Sequence, residues 1–490
     1  MSHVAARPKR GKRGAVETTR SLADDRGVQS LSGARARAVL TCGVAIAVLS
    51  LTASCGAPEG HDVLDAGVSF DGAVALTDAG HPPDDATPPE LDAGALDGGG
   101  ADAEPTCPAI DCASLPGTTR EGTITALDEC AFGLTLERPL EEGEALADAL
   151  IDRLVAGGLG APRDLAHIRA DLNREGRSGL GTTTATRLAG LDPRGFRWNT
   201  GDDAVDYWYP QGISGSADAE LEGASLILVS WYHKTTERPT KGARLSLVDV
   251  SDPASPRYRH LLLVDPFEHG DGQVDFGPAA YDSGGALHAG GIAWIGDRIY
   301  VADTSRGLRI YDLSRAFAPS HADDTERIGV GSGRADAHGY GYAVPRVARY
   351  VRAPGTCAVR FSYVARGDAD GEPALITGEY DSATPNGRLV AWPLDRTTGL
   401  LAGPRATGAV IGGHTRMQGG LRAGDVWYAS SSSQDGSDGR LYFGRAGATT
   451  RSVAWVHGCE DLYLDASDRL WTVGEHPGRR DVVSIRRPRL

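Results

Sequence analysis

Residues 290–313 read GGIAWIGDRIYVADTSRGLRIYDL. Three short runs rich in Ile, Val and Tyr are separated by Gly-Asp and by Ser-Arg-Gly. β-Branched and aromatic side chains suit a pleated, half-buried surface, and Gly and Asp suit the turns between. The stretch therefore predicts three consecutive antiparallel strands. The rhythm recurs outward from it. SLILVSWY (225–232), ARLSLVDV (243–250) and HLLLVD (260–265) come before. YAVPRVARYV, VRFSYVA, ALITGEY and GRLVAWPLD fill 342–395 as a third set. MQGGLRAG, VWYASSS and GRLYFGR (417–445) form a fourth, and CEDLYLDASDRLWTVGEHPG with DVVSIRRP (459–488) a fifth. Sets of three or four strands over roughly 35–60 residues are the signature of a β-propeller. A sandwich would not repeat one phase five times, and a β-helix would repeat with a much shorter period.

The expected fold is all-β: a C-terminal β-propeller over 195–490 with five blades, or six if residues 180–205 and the C-terminus complete another. Each set opens on a polar residue followed by Gly: Pro210-Gln211-Gly212-Ile213, His288-Ala289-Gly290-Gly291-Ile292, Met417-Gln418-Gly419 and Gly458-Cys459-Glu460-Asp461-Leu462. The third set departs, with Pro345-Arg346-Val347. The first strand of a blade lines the central channel, where Gly permits close approach. This phasing sends Gln211, His288, Arg346, Gln418 and Glu460 to one channel mouth, flanked by His414 and Asp461. Trp231, Trp294, Trp392, Trp427 and Trp471 recur near strand centres and read as packing between blades.

Upstream the composition changes. Residues 1–37 are basic, and Ala38 to Leu51 is an apolar run too short to span a bilayer. Basic, apolar and small-residue regions in that order make an export signal over 1–55. It ends Thr52-Ala53-Ser54-Cys55, which resembles the lipobox of bacterial lipoproteins, with Thr52 where Leu is usual. Cys55 is the expected lipidation site, and several acyl chains on one Cys would hold a membrane. The expected address is the cell envelope (outer membrane or cell surface), or secretion outright. Residues 56–106 carry twelve acidic residues and no Lys or Arg. Such a segment buries too little apolar surface to offset the entropy of ordering, so it reads as a disordered acidic linker. Residues 107–194 read as a small helical segment, a hairpin of helices over Glu144–Gly157 and Pro162–Gly176.

The whole chain has 490 residues, with 50 Lys and Arg against 65 Asp and Glu. Without residues 1–55 the balance is 41 basic to 62 acidic, near −21. That balance argues against nucleic acid as a partner. Export permits disulfides. Cys107 is expected to pair with Cys112 or Cys130, and Cys357 with Cys459. No C-x-x-C, G-x-S-x-G, H-E-x-x-H or P-loop occurs. Asp202 and Asp203, in W-N-T-G-D-D, read as a turn before the first strand.

The segment L-V-D-V-S-D-P-A-S-P (247–256) resembles bacterial surface propellers built from LVIVD repeats. The opening Gly with D-x-I/L-Y/W-V resembles lactonase, gluconolactonase and strictosidine-synthase-like propellers. From Trp198 to Arg480 the chain is also similar to secreted proteins of actinomycetes, through W-N-T-G-D-D, H-A-G-G-I-A-W and E-H-P-G-R-R. These resemblances imply a propeller. The lactonase likeness further implies a divalent cation, such as Ca²⁺, in the channel on carboxylate and amide oxygens. Glu460 and Asp461 would then be metal ligands, with Glu460 and His288 as catalytic residues and His288 the base. Gln211, Arg346, His414 and Gln418 would bind the ligand. Two functions follow as expectations. One is a binding or scaffold module for a protein, glycan or small molecule. The other is a metal-assisted hydrolase or lyase.

Overall fold

The computed structural model describes residues 107–490, except 109, 236–239, 282 and 434–437. The leader, Cys55 and the acidic linker lie outside the described residues. Five antiparallel four-stranded blades follow one another along the chain, the first two joined into one sheet by parallel pairing of Leu262–Val264 with Ala343–Pro345. Blade 1 runs from the inner strand Trp208–Gly215 through Leu226–His233 and Ala243–Asp249 to Arg257–Glu268. Blade 2 uses Ile292–Ile295, Arg298–Asp303, Gly307–Asp312 and Ala343–Arg352. Blade 3 uses Tyr363–Ala369, Glu372–Gly378, Arg388–Pro393 and Gly408–Ile411. Blade 4 uses Met417–Ala423, Val426–Ser431, Asp438–Gly444 and Arg451–His457. Blade 5 takes three strands from the C-terminus, Tyr463–Leu464, Arg469–Val473 and Asp481–Arg486. Its outer strand, Arg194–Arg197, comes from before blade 1 and pairs antiparallel with Asp481–Arg486. That strand joins the two ends of the propeller and makes the blade number five.

The third set of the expected repeat is out of phase. Ala343–Arg352 is the outer strand of blade 2, not the inner strand of blade 3. The insertion 313–342, which includes the hairpin Ile328–Gly331 and Arg334–Ala337, separates it from its own blade and hides the period. Blade 3 opens on Tyr363, which fills the space its neighbours leave with Gly. A Cβ on Gly378 or Gly420 would stand 2.2 or 2.8 Å from the Tyr363 ring.

Ring closure is held by apolar burial. Phe196, Trp198, Trp208, Trp231, Tyr258 and Val482 form one cluster between blades 5 and 1. Trp198 meets Trp231 and Tyr258 edge-on at 4.9 and 5.0 Å. Trp231, Trp294 and Trp392 are fully buried and Trp427 nearly so, whereas Trp471 is partly buried and donates its indole N–H to Asp465 at 2.8 Å.

Segment 107–194 is less helical than expected. One long helix, Leu140–Ala156, buries Gly143, Ala147, Leu150 and Leu154 on one stripe. Glu141 and Glu142 in its first turn and Arg153 in its last complement the helix dipole. The second expected helix shrinks to Leu165–Ala170, begun by Asp164 accepting the His167 amide. Residues before and after it find strand partners instead. Gly160–Pro162 pairs with Phe317–Pro319, and Arg174–Glu175 pairs with the outer strand of blade 1. Thr125–Leu127 and Leu134–Leu136 likewise extend blades 3 and 2. The disulfides are Cys107–Cys130 and Cys112–Cys357. The expected bond between Cys357 and Cys459 does not form. Cys357 is taken by Cys112, which ties this segment to the propeller, and Cys459 is a buried free thiol.

Candidate functional site

The inner strands meet on the axis through their backbones. A Cβ on Gly291 of blade 2 would lie 2.2 Å from the Val364 nitrogen of blade 3. One on Gly419 of blade 4 would lie 2.6 Å from the Asp461 Cα of blade 5. Asp461 itself is 0 % exposed. Its Oδ2 accepts the amides of Ile213 (3.3 Å) and Ile292 (3.1 Å), from blades 1 and 2. Burial pushes its carboxyl well above the ordinary range, and the amides of Leu462, Ile292 and Ile213 oppose this only in part. Asp461 is thus a neutral acid knitting three blades together. An oxygen that already receives two N–H donors faces positive potential, which opposes a cation. Its other oxygen, Oδ1, is buried without a hydrogen-bond partner.

Above it, the structure brings Gln418 and Glu460 together, Nε2 to Oε1 at 3.4 Å. Gln211 instead donates to Glu475 at 3.3 Å and to the Pro210 carbonyl at 2.9 Å. Glu475 lies beside His476, whose ring is 4.9 Å from that of His457. His288 packs its half-buried ring on Tyr232 at 4.7 Å. Among the described residues, no group of three or more His, Cys, Asp or Glu is placed to hold a metal ion.

Two expected mouth residues stand elsewhere. Arg346 lies on the outer strand of blade 2 and donates Nε to Asp265 at 3.0 Å. That carboxylate also takes Arg309, itself bonded to Asp303 at 2.8 Å. The strand of Arg346 is the last of blade 2, so its side chain lies away from the axis strands. His414 stacks on Tyr442 and meets the Thr450 hydroxyl at 2.9 Å. Burial brings its pKa down to about 4, so it is a neutral packing residue.

The repeat pattern does not reveal a polar hub around Asp202. Asn199, not an aspartate, makes the turn in W-N-T-G-D-D by accepting the Asp202 amide at 2.8 Å. Asp202 is left to point inward, where Tyr258 (2.6 Å), His260 (3.1 Å), Arg174 (3.3 Å) and Arg244 (3.4 Å) converge on it. Burial alone would raise its pKa; the His260 hydrogen bond, the Arg244 charge and the Tyr258 hydroxyl outweigh it and keep Asp202 ionised. Burial, with the Arg244 charge, brings His260 down to about 3. Ser246 Oγ lies 2.8 Å from His260 Nδ1, so hydroxyl, imidazole and carboxylate stand in the order of a hydrolytic triad. Ser246 is 0 % exposed, however, and its Oγ also accepts the Trp231 indole N–H at 2.8 Å. No substrate carbonyl reaches it, and the chain of bonds is structural.

No family model matches the chain, and no curated protein does. Solved structures are similar at very low identity. The β-propeller domain of Cps50 (Swd1) from Myceliophteria thermophila is 8 % identical, over 58 % of this chain and 98 % of that one, with a TM-score of 0.29. The hydrazine synthase of Kuenenia stuttgartiensis is 11 % identical over 54 % and 73 %, with a TM-score of 0.26. The β-propeller domain of the Trilobed protease from Pyrococcus furiosus is 8 % identical over 57 % and 71 %, with a TM-score of 0.19. The propeller assignment rests on the strand pairing above: five four-stranded blades, the last completed by a strand from the other end of the propeller.

Proposed function

We propose that this chain is an exported, lipid-anchored binding module of the cell envelope. One observation carries the reading. At the channel mouth the acids are spent on amides, Glu460 on Gln418 and Glu475 on Gln211, above an axis packed with backbone. Gln211 and Glu460 are each 1 % exposed, so the mouth is closed by paired side chains rather than carrying an acid-base pair poised on a metal, which leaves the outer faces of the propeller for a docked ligand. Two disulfides suit an oxidising compartment, which supports export. The leader and Cys55 supply the address, and the acidic linker would hold the propeller off the membrane.

The test is to express the full chain in a bacterium with its own N-terminus. The expected result is membrane association that is lost in Cys55→Ala, with the two disulfides formed. In the same preparation, metal content and lactone hydrolysis are measured for the native protein and for Glu460→Gln. One tightly bound Ca²⁺ per chain, lost in the variant together with lactone turnover, would replace this reading with a hydrolase.

A further inference from the structure

A cleft lies at the rim of blade 1, and Arg480 links it to the mouth by donating to the carbonyls of Asp202 (2.8 Å) and Glu475 (2.7 Å). It has a volume of about 560 Å³ and opens between the Asp202 hub and the loop around His338. Such a volume is within the range of small-molecule sites and far exceeds the need of a bare ion. Among the described residues, Arg174, Lys241, Arg244 and Arg259 line it against the single carboxylate of Asp202. Exposed Glu326 takes Lys241 at 3.0 Å, and Asp171 takes Arg259 at 2.7 Å. Arg174 and Arg244 are left to share Asp202, at 3.3 and 3.4 Å. Among the described residues, Arg174 and Arg244 together carry one more charge than Asp202 neutralises.

Two polar atoms in its wall have no partner. Arg244 is 5 % exposed and lies over Trp208 and Trp231 at 4.5 and 4.7 Å. Its Nη1 reaches the Tyr340 hydroxyl at 3.3 Å, but its Nε is buried without a hydrogen bond. His338 is 4 % exposed, with Nδ1 on the Thr325 carbonyl at 3.1 Å and Nε2 buried without a partner. Buried polar atoms are nearly always satisfied, and those that are not call for an explanation. Residue 338 also adopts a left-handed φ of +51°, which a non-glycine residue holds only when its surroundings impose it. Half-exposed Tyr207 and the Tyr340 ring add flat surfaces at the entrance.

We infer that this cleft binds an acidic sugar: its carboxylate would sit between Arg244 and Lys241, its hydroxyls on His338 and Tyr340, and its ring face on Tyr207. The guanidinium and ammonium donors suit a carboxylate, and an amphipathic ring suits one face of a pyranose.

The experiment is calorimetric titration of the full chain, in mild detergent, with D-glucuronate, D-glucose and inorganic phosphate. Glucuronate is expected to bind, and glucose to bind at least tenfold more weakly. Arg244→Gln is expected to abolish glucuronate binding. Because Arg244 is also part of the hub, Lys241→Ala and Tyr207→Ala serve as rim variants that leave the fold intact. They are expected to weaken binding about tenfold and several-fold, with unchanged thermal midpoints in the absence of ligand. No heat with glucuronate, or affinities unchanged in both rim variants, would overturn the site. Phosphate binding as tightly as glucuronate would overturn the sugar assignment. None of these readouts depends on Cys55 or on the channel mouth, so they stand or fall apart from the proposed function.

Discussion

Asp461 and Asp202 are both buried aspartates, and they are in opposite charge states. Asp461 is surrounded by backbone amides and apolar walls at the axis, and it is neutral. Asp202 is surrounded by two guanidiniums, an imidazole and a phenol at the rim, and it is ionised. The difference comes from how closely the chain packs. On the axis, inner strands approach until a single Cβ would collide, so no cationic side chain fits beside Asp461. At the rim, long side chains from the short strand Arg174–Glu175 and from two strands of blade 1 have room to converge. In this propeller, charge is concentrated at the edge of a blade and the centre is a seal.

The largest expected effect falls on the rim. Asp202→Ala removes the acid shared by Arg174 and Arg244 and leaves a buried guanidinium uncompensated. Breaking one side of a buried pair costs about 3–5 kcal/mol. Urea unfolding of the variant should show that loss, and a loss below about 1 kcal/mol would break the contrast by showing Asp202 to be dispensable. Gly291→Ala tests the seal. The added methyl meets the backbone of blade 3, which cannot swing aside as a side chain would. Overpacking of this kind costs about 1–3 kcal/mol. An unchanged unfolding midpoint would mean the inner strands are looser than their spacing indicates.

These residues also show what a sequence can and cannot reveal. Strand rhythm was legible because hairpins are local: 290–313 reads as three strands and forms three. The inner-strand glycines were legible too, since close approach leaves few alternatives. Phase was lost where an insertion intervened, and Arg346 was misplaced with it. The disulfide Cys112–Cys357 spans 245 residues, and no local pattern encodes such a partner. The Asp202 hub draws on residues 174, 202, 244, 258 and 260, which only the meeting of blade 1 with the preceding segment brings together. One signal was available. W-N-T-G-D-D holds four side chains able to make one turn, so at least one acid is free for another task.

The smallest effect is expected from Asp461→Asn at about pH 4, and its pH dependence is the sharper test. Asn keeps the shape and the acceptor oxygen, and an NH2 replaces the acid O–H. With the carboxyl protonated in the folded state and about half protonated in the unfolded one, the substitution should change stability by under about 1 kcal/mol. Raising the pH separates the two. A folded pKa above the unfolded value gives stability that is full below the unfolded pKa and is lost as pH rises. The native protein should therefore lose stability relative to Asp461→Asn as pH rises above the unfolded pKa of about 4. Asp202 has the opposite sign, because its folded pKa is depressed. Its contribution is present at neutral pH and fades as pH falls toward and below about 4. Asp202→Asn should accordingly cost most near neutral pH and least in acid. Two Asp→Asn difference curves sloping in opposite directions would establish the two charge states. Parallel curves would show that burial alone, and not the neighbours each site admits, governs both carboxyls.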